Sequence, residues 1–132
     1  MYRGHFTKIP IIVYTIIIFV LSSMESGGAF NVLGVDKILH LIEFGLYAVL
    51  MNIAIISSSN KYLIMNNCYY TVLLSMVYAA SDEIHQFFVP TRDCSIYDFM
   101  ADVIGILIFL GIFKIFLRVV KSSYVFGKVK NS

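Results

Sequence analysis

Three short blocks of this chain set acids and imidazoles at helical spacing inside apolar surroundings. In Asp36-Lys37-Ile38-Leu39-His40-Leu41-Ile42-Glu43, His40 stands three residues before Glu43. In Asp82-Glu83-Ile84-His85-Gln86, His85 stands three after Asp82, and Arg92 follows. Further on, Asp98 precedes Asp102 by four. Separations of three and four put each pair on one helix face. A carboxyl group beside an imidazole can take up a proton and pass it on. Glu43, Asp82 and Glu83 are therefore candidate general acids or bases, and His40 and His85 candidate relays. Asp36, Lys37, Gln86, Arg92, Asp98 and Asp102 are candidate substrate-binding groups. Arg92 is suited to holding a phosphate through paired hydrogen bonds. A divalent metal would fit the acid and imidazole set, but no ligand spacing specifies one, so no cofactor is assigned. The sequence holds no HExxH and no Gly-rich phosphate loop. Ser75 and Ser81 are read as bonding to their own helix backbone, and nothing marks Cys94 as a nucleophile.

The elements that must carry these residues are apolar. Hydrophobic residues make up 59% of the 132, and only 14% are charged, where a soluble domain carries about 25%. Mean hydropathy is +0.84. A soluble domain this small has too much surface for its volume to hide so many apolar side chains. The solvent for that surface is lipid. Four apolar stretches, at about 6–24, 38–57, 69–89 and 96–117, each approach the ~20 residues that cross a ~30 Å hydrocarbon core as a helix. They are too long for barrel strands and lack period-two alternation. The expected fold is all-α, a single-domain bundle of four transmembrane helices over residues 1–132. Turn-prone segments separate the stretches: Ser26-Gly27-Gly28, Ser57 to Asn60 with Asn66-Asn67, and Pro90-Thr91-Arg92-Asp93. Gly105 and Gly111 are expected to permit close helix contact. The first stretch, with Arg3 and Lys8 before it and Ser22-Ser23 after it, has the outline of a signal peptide. It is read here as a span, and the other three keep one orientation either way.

Charge sets that orientation. With four spans, Arg3, Lys8, Lys61, Lys114, Arg118, Lys121, Lys128 and Lys130 share one side, and only Lys37 and Arg92 lie on the other. The side rich in Lys and Arg is cytoplasmic, so both termini are expected inside a plasma membrane crossed several times. The basic tail after Lys114 also attracts anionic lipid and is too sparse for nucleic acid. Cys68 falls near the inner surface and Cys94 near the outer one, too far apart to pair. Every acid falls at the outward end of a span or in an outer loop. Topology alone accounts for Glu25, Asp36 and Asp93 in loops, but not for acids within apolar stretches.

Depth singles out three of those. Glu43 lies six residues past Lys37 and Asp102 six past Ile96, each roughly 9 Å inward. Asp82 lies seven before Val89, at a similar depth of roughly 10 Å. A charge near the bilayer centre costs at least ~2.5–3.5 kcal/mol, so these groups should face one another, a wet cleft or an ion. Crowded carboxylates repel, so at least one must hold a proton, a metal ion or a basic partner. The plainer alternative is that polar side chains tie helices together by hydrogen bonds. Asp98 also fits as a helix-start charge, three residues after a Ser95 N-cap, and Lys37 as a snorkelling anchor.

The three blocks, Asp36 to Gly45, Asp82 to Pro90 with Arg92, and Asp98 with Asp102-Val103-Ile104-Gly105, resemble the VanZ-like family. The family takes its name from an accessory teicoplanin-resistance protein of glycopeptide-resistance clusters. The resemblance spans roughly 22–113. It departs from the family pattern at Thr91, where Gly is frequent, and at Asp102, where Asn is usual. It implies a role at the cell envelope and lowered susceptibility to teicoplanin-type antibiotics, and it supplies no mechanism.

Three functions of different class follow. One is a membrane-embedded enzyme acting on a lipid-linked cell-wall precursor or lipid at the outer leaflet. Another is a binding protein that grips a lipid or precursor head group through Arg92 and Lys37 without chemistry. The third is a proton or ion pathway, weakened by the lack of an intramembrane acid in the inner half. Membrane lipid is the common partner, and oligomeric state is left open.

Overall fold

The computed structural model describes residues 6–24, 34–90, 92 and 94–130, with the backbone alone for 123–130. The expected Ser26-Gly27-Gly28 turn, Thr91, and the side chains of Arg3, Glu25, Asp93, Lys128 and Lys130 lie outside the described residues. The described chain is helical: α1 (Ile9–Ser22), α2 (Val35–Ile56), α3 (Lys61–Met65), α4 (Asn67–Gln86) and α5 (Ile96–Lys130). No strand occurs among the described residues.

Local chemistry explains the boundaries. Pro10 sits in the first turn of α1, where its missing N–H costs nothing. Gly34 opens α2 at φ +83°, a left-handed conformation that glycine adopts without strain. The Asn60 side chain caps α3 by accepting from the backbone N–H groups of Tyr62 and Leu63. This short helix stands where the sequence suggested only a polar loop. Helix α4 stops at Gln86 rather than near Val89, because the residue before Pro90 is pushed out of helical geometry. Ser95 Oγ accepts from the Asp98 N–H at 3.4 Å and starts α5 as an N-cap. Past 117, α5 continues through Arg118 and Lys121, which favour a helix and suit its C-terminal half.

Two helices are long and apolar enough to cross a membrane, Val35–Ile56 and Ile96–Ser122. Helix α1 is apolar but has only 14 residues. Helix α4 has 20 but is less apolar, because its buried face is mostly polar: Thr71, Ser75, Asp82, Glu83 and Gln86 recur at helical spacing around Ala79. Across the bundle the outer surface is apolar and the interior mixes apolar with polar side chains. Ile16, Phe19, Leu46, Val77, Ile108 and Ile115 face outward, while Asn52, Thr71, Ser75 and Asp102 are fully enclosed. A water-soluble fold would carry more charge outside and fewer enclosed polar groups.

Cross-helix pairs fix the helix directions. His40 meets Asp102 and Asn52 meets Lys114, so α2 and α5 run parallel. Thr71 meets Asn52 and Glu83 approaches His40, so α4 runs opposite to both. Tyr78 donates to the Thr15 carbonyl and His85 meets Ser23, so α1 runs with α4.

Helices α2 and α5 touch most closely at two glycines. A Cβ on Gly105 would stand 2.0 Å from the Leu41 carbonyl oxygen, and one on Gly45 would stand 2.5 Å from the Phe109 ring. Gly105 thus does what the sequence suggested. Gly111 does not: a Cβ there would meet nothing within 4 Å, because this position of α5 is exposed.

Candidate functional site at one end of the bundle

The residues singled out by the sequence collect at the end where α1 and α4 finish and α2 and α5 begin. At its centre are His40, Glu83 and Asp102, one from each of α2, α4 and α5. His40 Nδ1 lies 3.0 Å from Asp102 Oδ1 and 3.9 Å from Glu83 Oε1. All three side chains are buried, Asp102 completely. The Ser95 N–H donates to Glu83 Oε2 at 2.9 Å, which leaves Oε1 turned toward His40. Among the described residues, Glu83 Oε1 and Asp102 Oδ2 have no hydrogen-bond partner. Acceptors so enclosed usually have a donor or a cation.

The other candidates surround this triad. Lys37 Nζ pairs with Asp98 Oδ1 at 2.9 Å, so Lys37 neutralises a buried acid rather than only anchoring its helix. Asp36, His40 and Asp98 offer ligand atoms within 4.8 Å of one another, as do His40, Glu83 and Asp102. Asp82 is buried and accepts from Gln86 Nε2 at 2.7 Å, one turn along its own helix. Glu43 is half-buried and lies in the field of His40, Asp82, Asp102 and Arg92. Depth alone grouped Asp82 with Glu43 and Asp102. The structure puts Glu83 in closest contact, because a step of one residue turns the side chain by about 100° toward α5.

Two candidates face away from the triad. His85 Nε2 lies 2.9 Å from Ser23 Oγ, and its ring packs on Phe19 with centroids 4.7 Å apart. Arg92 donates from Nε to the Met24 carbonyl and from Nη2 to the Leu21 carbonyl, both at 3.3 Å. It therefore closes the C-terminal end of α1, where carbonyls lack helical partners and attract a cation.

A second polar cluster, which sequence reasoning missed, lies at the opposite end. Lys114 Nζ donates to Asn52 Oδ1 at 3.0 Å and to Asn67 Oδ1. Asn52 Nδ2 donates to Thr71 Oγ1 at 2.8 Å. Asn52 and Lys114 each interrupt an apolar run, and that was the available signal. His40 and Asn52 are twelve residues apart on α2, as are Asp102 and Lys114 on α5, so the two polar layers lie roughly 18 Å apart. Between them Phe44, Ala79 and Ile106 are fully buried.

No curated protein and no solved structure matches this chain. The sequence model of the VanZ/LLP1 family matches residues 4–117, which include both polar layers, all the site candidates and the two membrane-length helices up to Leu117, and the chain belongs to that family.

Proposed function

We propose that this protein crosses the plasma membrane four times, with α1, α2, α4 and α5 as spans and both termini in the cytoplasm. The alternating helix directions support this reading. So do the outward-facing apolar side chains and the excess of Lys and Arg on one side. The His40 end then faces outward. There the protein acts on the polar head group of a lipid-linked envelope precursor, with Glu83, Glu43 or Asp82 as acid or base and His40 as relay. Lowered susceptibility to teicoplanin-type antibiotics is the expected consequence.

One observation carries this reading: three helices converge on a buried His40, Glu83 and Asp102 with two carboxylate oxygens unpartnered. Side chains that only tied helices together would be expected to satisfy each other, as those around Asn52 do. The test is teicoplanin susceptibility of a sensitive Gram-positive host expressing the chain, with Glu83→Gln and Asp82→Asn compared at equal membrane abundance. Protection by the unaltered chain and its loss with Glu83→Gln is the expected result. Equal protection by all three chains would sink the site assignment.

Non-catalytic head-group binding is the second reading, favoured by Lys37, whose side chain is about half exposed beside the site. It expects head-group affinity to survive Glu83→Gln and protection to survive with it.

A further inference from the structure

We propose that His40, Glu83 and Asp102 bind one divalent first-row metal ion, such as zinc or manganese. The spacing approaches that of a coordination shell. Ligand atoms each about 2.1 Å from a metal stand about 3.0 Å apart at a right angle and about 3.4 Å apart at the tetrahedral angle. Here Nδ1 of His40 stands 3.0 Å from Asp102 Oδ1, the right-angle separation, and 3.9 Å from Glu83 Oε1, so Glu83 must draw in by about 0.5 Å to close a tetrahedral shell, and one atom from each side chain falls within 4.8 Å of the others.

The unpartnered atoms point the same way. Glu83 Oε1 and Asp102 Oδ2 belong to side chains 5% and 0% exposed, and Oε1 is turned into the cluster. Leaving such acceptors unmet is costly, and the nearby ammonium of Lys37 is spent on Asp98. A dication balances the two carboxylates, and with a neutral imidazole the set carries no net charge, which a low-dielectric site requires. One imidazole and two carboxylates suit manganese and zinc better than calcium or copper. The adjoining Asp36, His40 and Asp98 set is the weaker site, because Lys37 already occupies Asp98.

The shell is also supported from outside. The Ser95 N–H holds the far oxygen of Glu83. Gly105, one turn from Asp102, lets α5 rest on the Leu41 backbone beside His40. Supports of this kind hold ligands in place before the ion arrives.

This inference shares the site of the proposed function but does not rest on it, since metal occupancy is read without any activity; with the ion bound, Glu43 or Asp82 is left as the acid or base and Glu83 and His40 hold the metal. The full chain, purified without a polyhistidine tag and stripped with chelator, is titrated with Mn2+ and with Zn2+. Cys68 and Cys94 are replaced by Ser to remove thiol binding. The expected result is about one ion per chain, with affinity lowered by about tenfold or more in each of His40→Phe, Glu83→Gln and Asp102→Ala. Electron spin-echo spectra of Mn2+ bound with the three ligands intact should show a single imidazole nitrogen, a readout that no folding defect can mimic. Binding far below one ion per chain, a manganese spectrum without nitrogen coupling, or unchanged affinity in all three variants would overturn it. Metal binding without protection from teicoplanin would defeat the proposed function alone, and protection without metal binding would defeat this inference alone.

Discussion

The carbonyl oxygen of Leu41 occupies the space where a Cβ on Gly105 would stand, only 2.0 Å away. Leu41 follows His40 in sequence, and Gly105 lies one turn beyond Asp102. The backbone contact between α2 and α5 therefore sets the 3.0 Å distance between His40 and Asp102. Gly105→Ala should force the helices apart and cost about 1–3 kcal/mol as an overpacking change. Gly111→Ala, with nothing within 4 Å of the added carbon, should change stability by no more than about 0.5–1 kcal/mol. Unfolding of the two variants in mixed detergent checks the contrast, and equal losses would refute the contact.

The Asn52 layer should be structural. Asn52→Leu leaves Lys114 and Thr71 short of a partner. Interhelical hydrogen bonds in membranes are worth about 0.6 kcal/mol on average and about 1.7 at most. A loss in that range is expected, with teicoplanin protection retained at equal abundance. Protection lost without a loss of stability would assign this layer a function.

Lys37 and Asp98 form a close pair, but the Lys37 side chain is 47% exposed. Water and salt screen such a pair, so a double-mutant cycle with Lys37→Met and Asp98→Asn should return a coupling of about 1 kcal/mol or less. The coupling should shrink at high salt. A larger, salt-independent value would mean that the pair is enclosed by lipid or ligand.

The two cysteines report topology. Both are free and exposed. A membrane-impermeant maleimide should label Cys94 in intact cells and reach Cys68 only after permeabilisation. Labelling in the reverse order would invert the orientation.

Proton conduction should be absent. Phe44, Ala79 and Ile106 are fully buried between the polar layers, and the buried polar side chains there, Ser75 and Tyr47, are hydroxyls rather than acids or imidazoles. Liposomes holding the purified protein should show the proton leak of empty ones at every pH tested. A pH-dependent flux above that leak would restore the pathway reading.

Much of the fold was legible because lipid imposes simple rules. Runs of apolar residues near twenty long marked the helices. Ser95 was readable as an N-cap because its interaction is local. The site was legible at the level of blocks: every candidate lies at one end of the bundle. Its partnerships were not. Asp82 and Glu83 are neighbours in sequence, and only the rotation of α4 against α5 puts Glu83 beside His40 and leaves Asp82 to Gln86. His85 and Arg92 looked equally suited to the site, yet contacts with α1 claim both.

By itself the sequence determined what hydropathy and local spacing encode, namely an all-α membrane chain with acids and imidazoles held on three helix faces. Tertiary structure decided which of those faces meet. It joined Asn52 to Lys114 across sixty-two residues, and His40 to Asp102 across the same separation. It also turned two carboxylate oxygens into an enclosed space without partners. The physical reason is that hydrogen bonding and coordination act over about 3 Å between atoms. Distances that short depend on helix rotation and on close approach at a glycine, and one chain's residue order does not specify either.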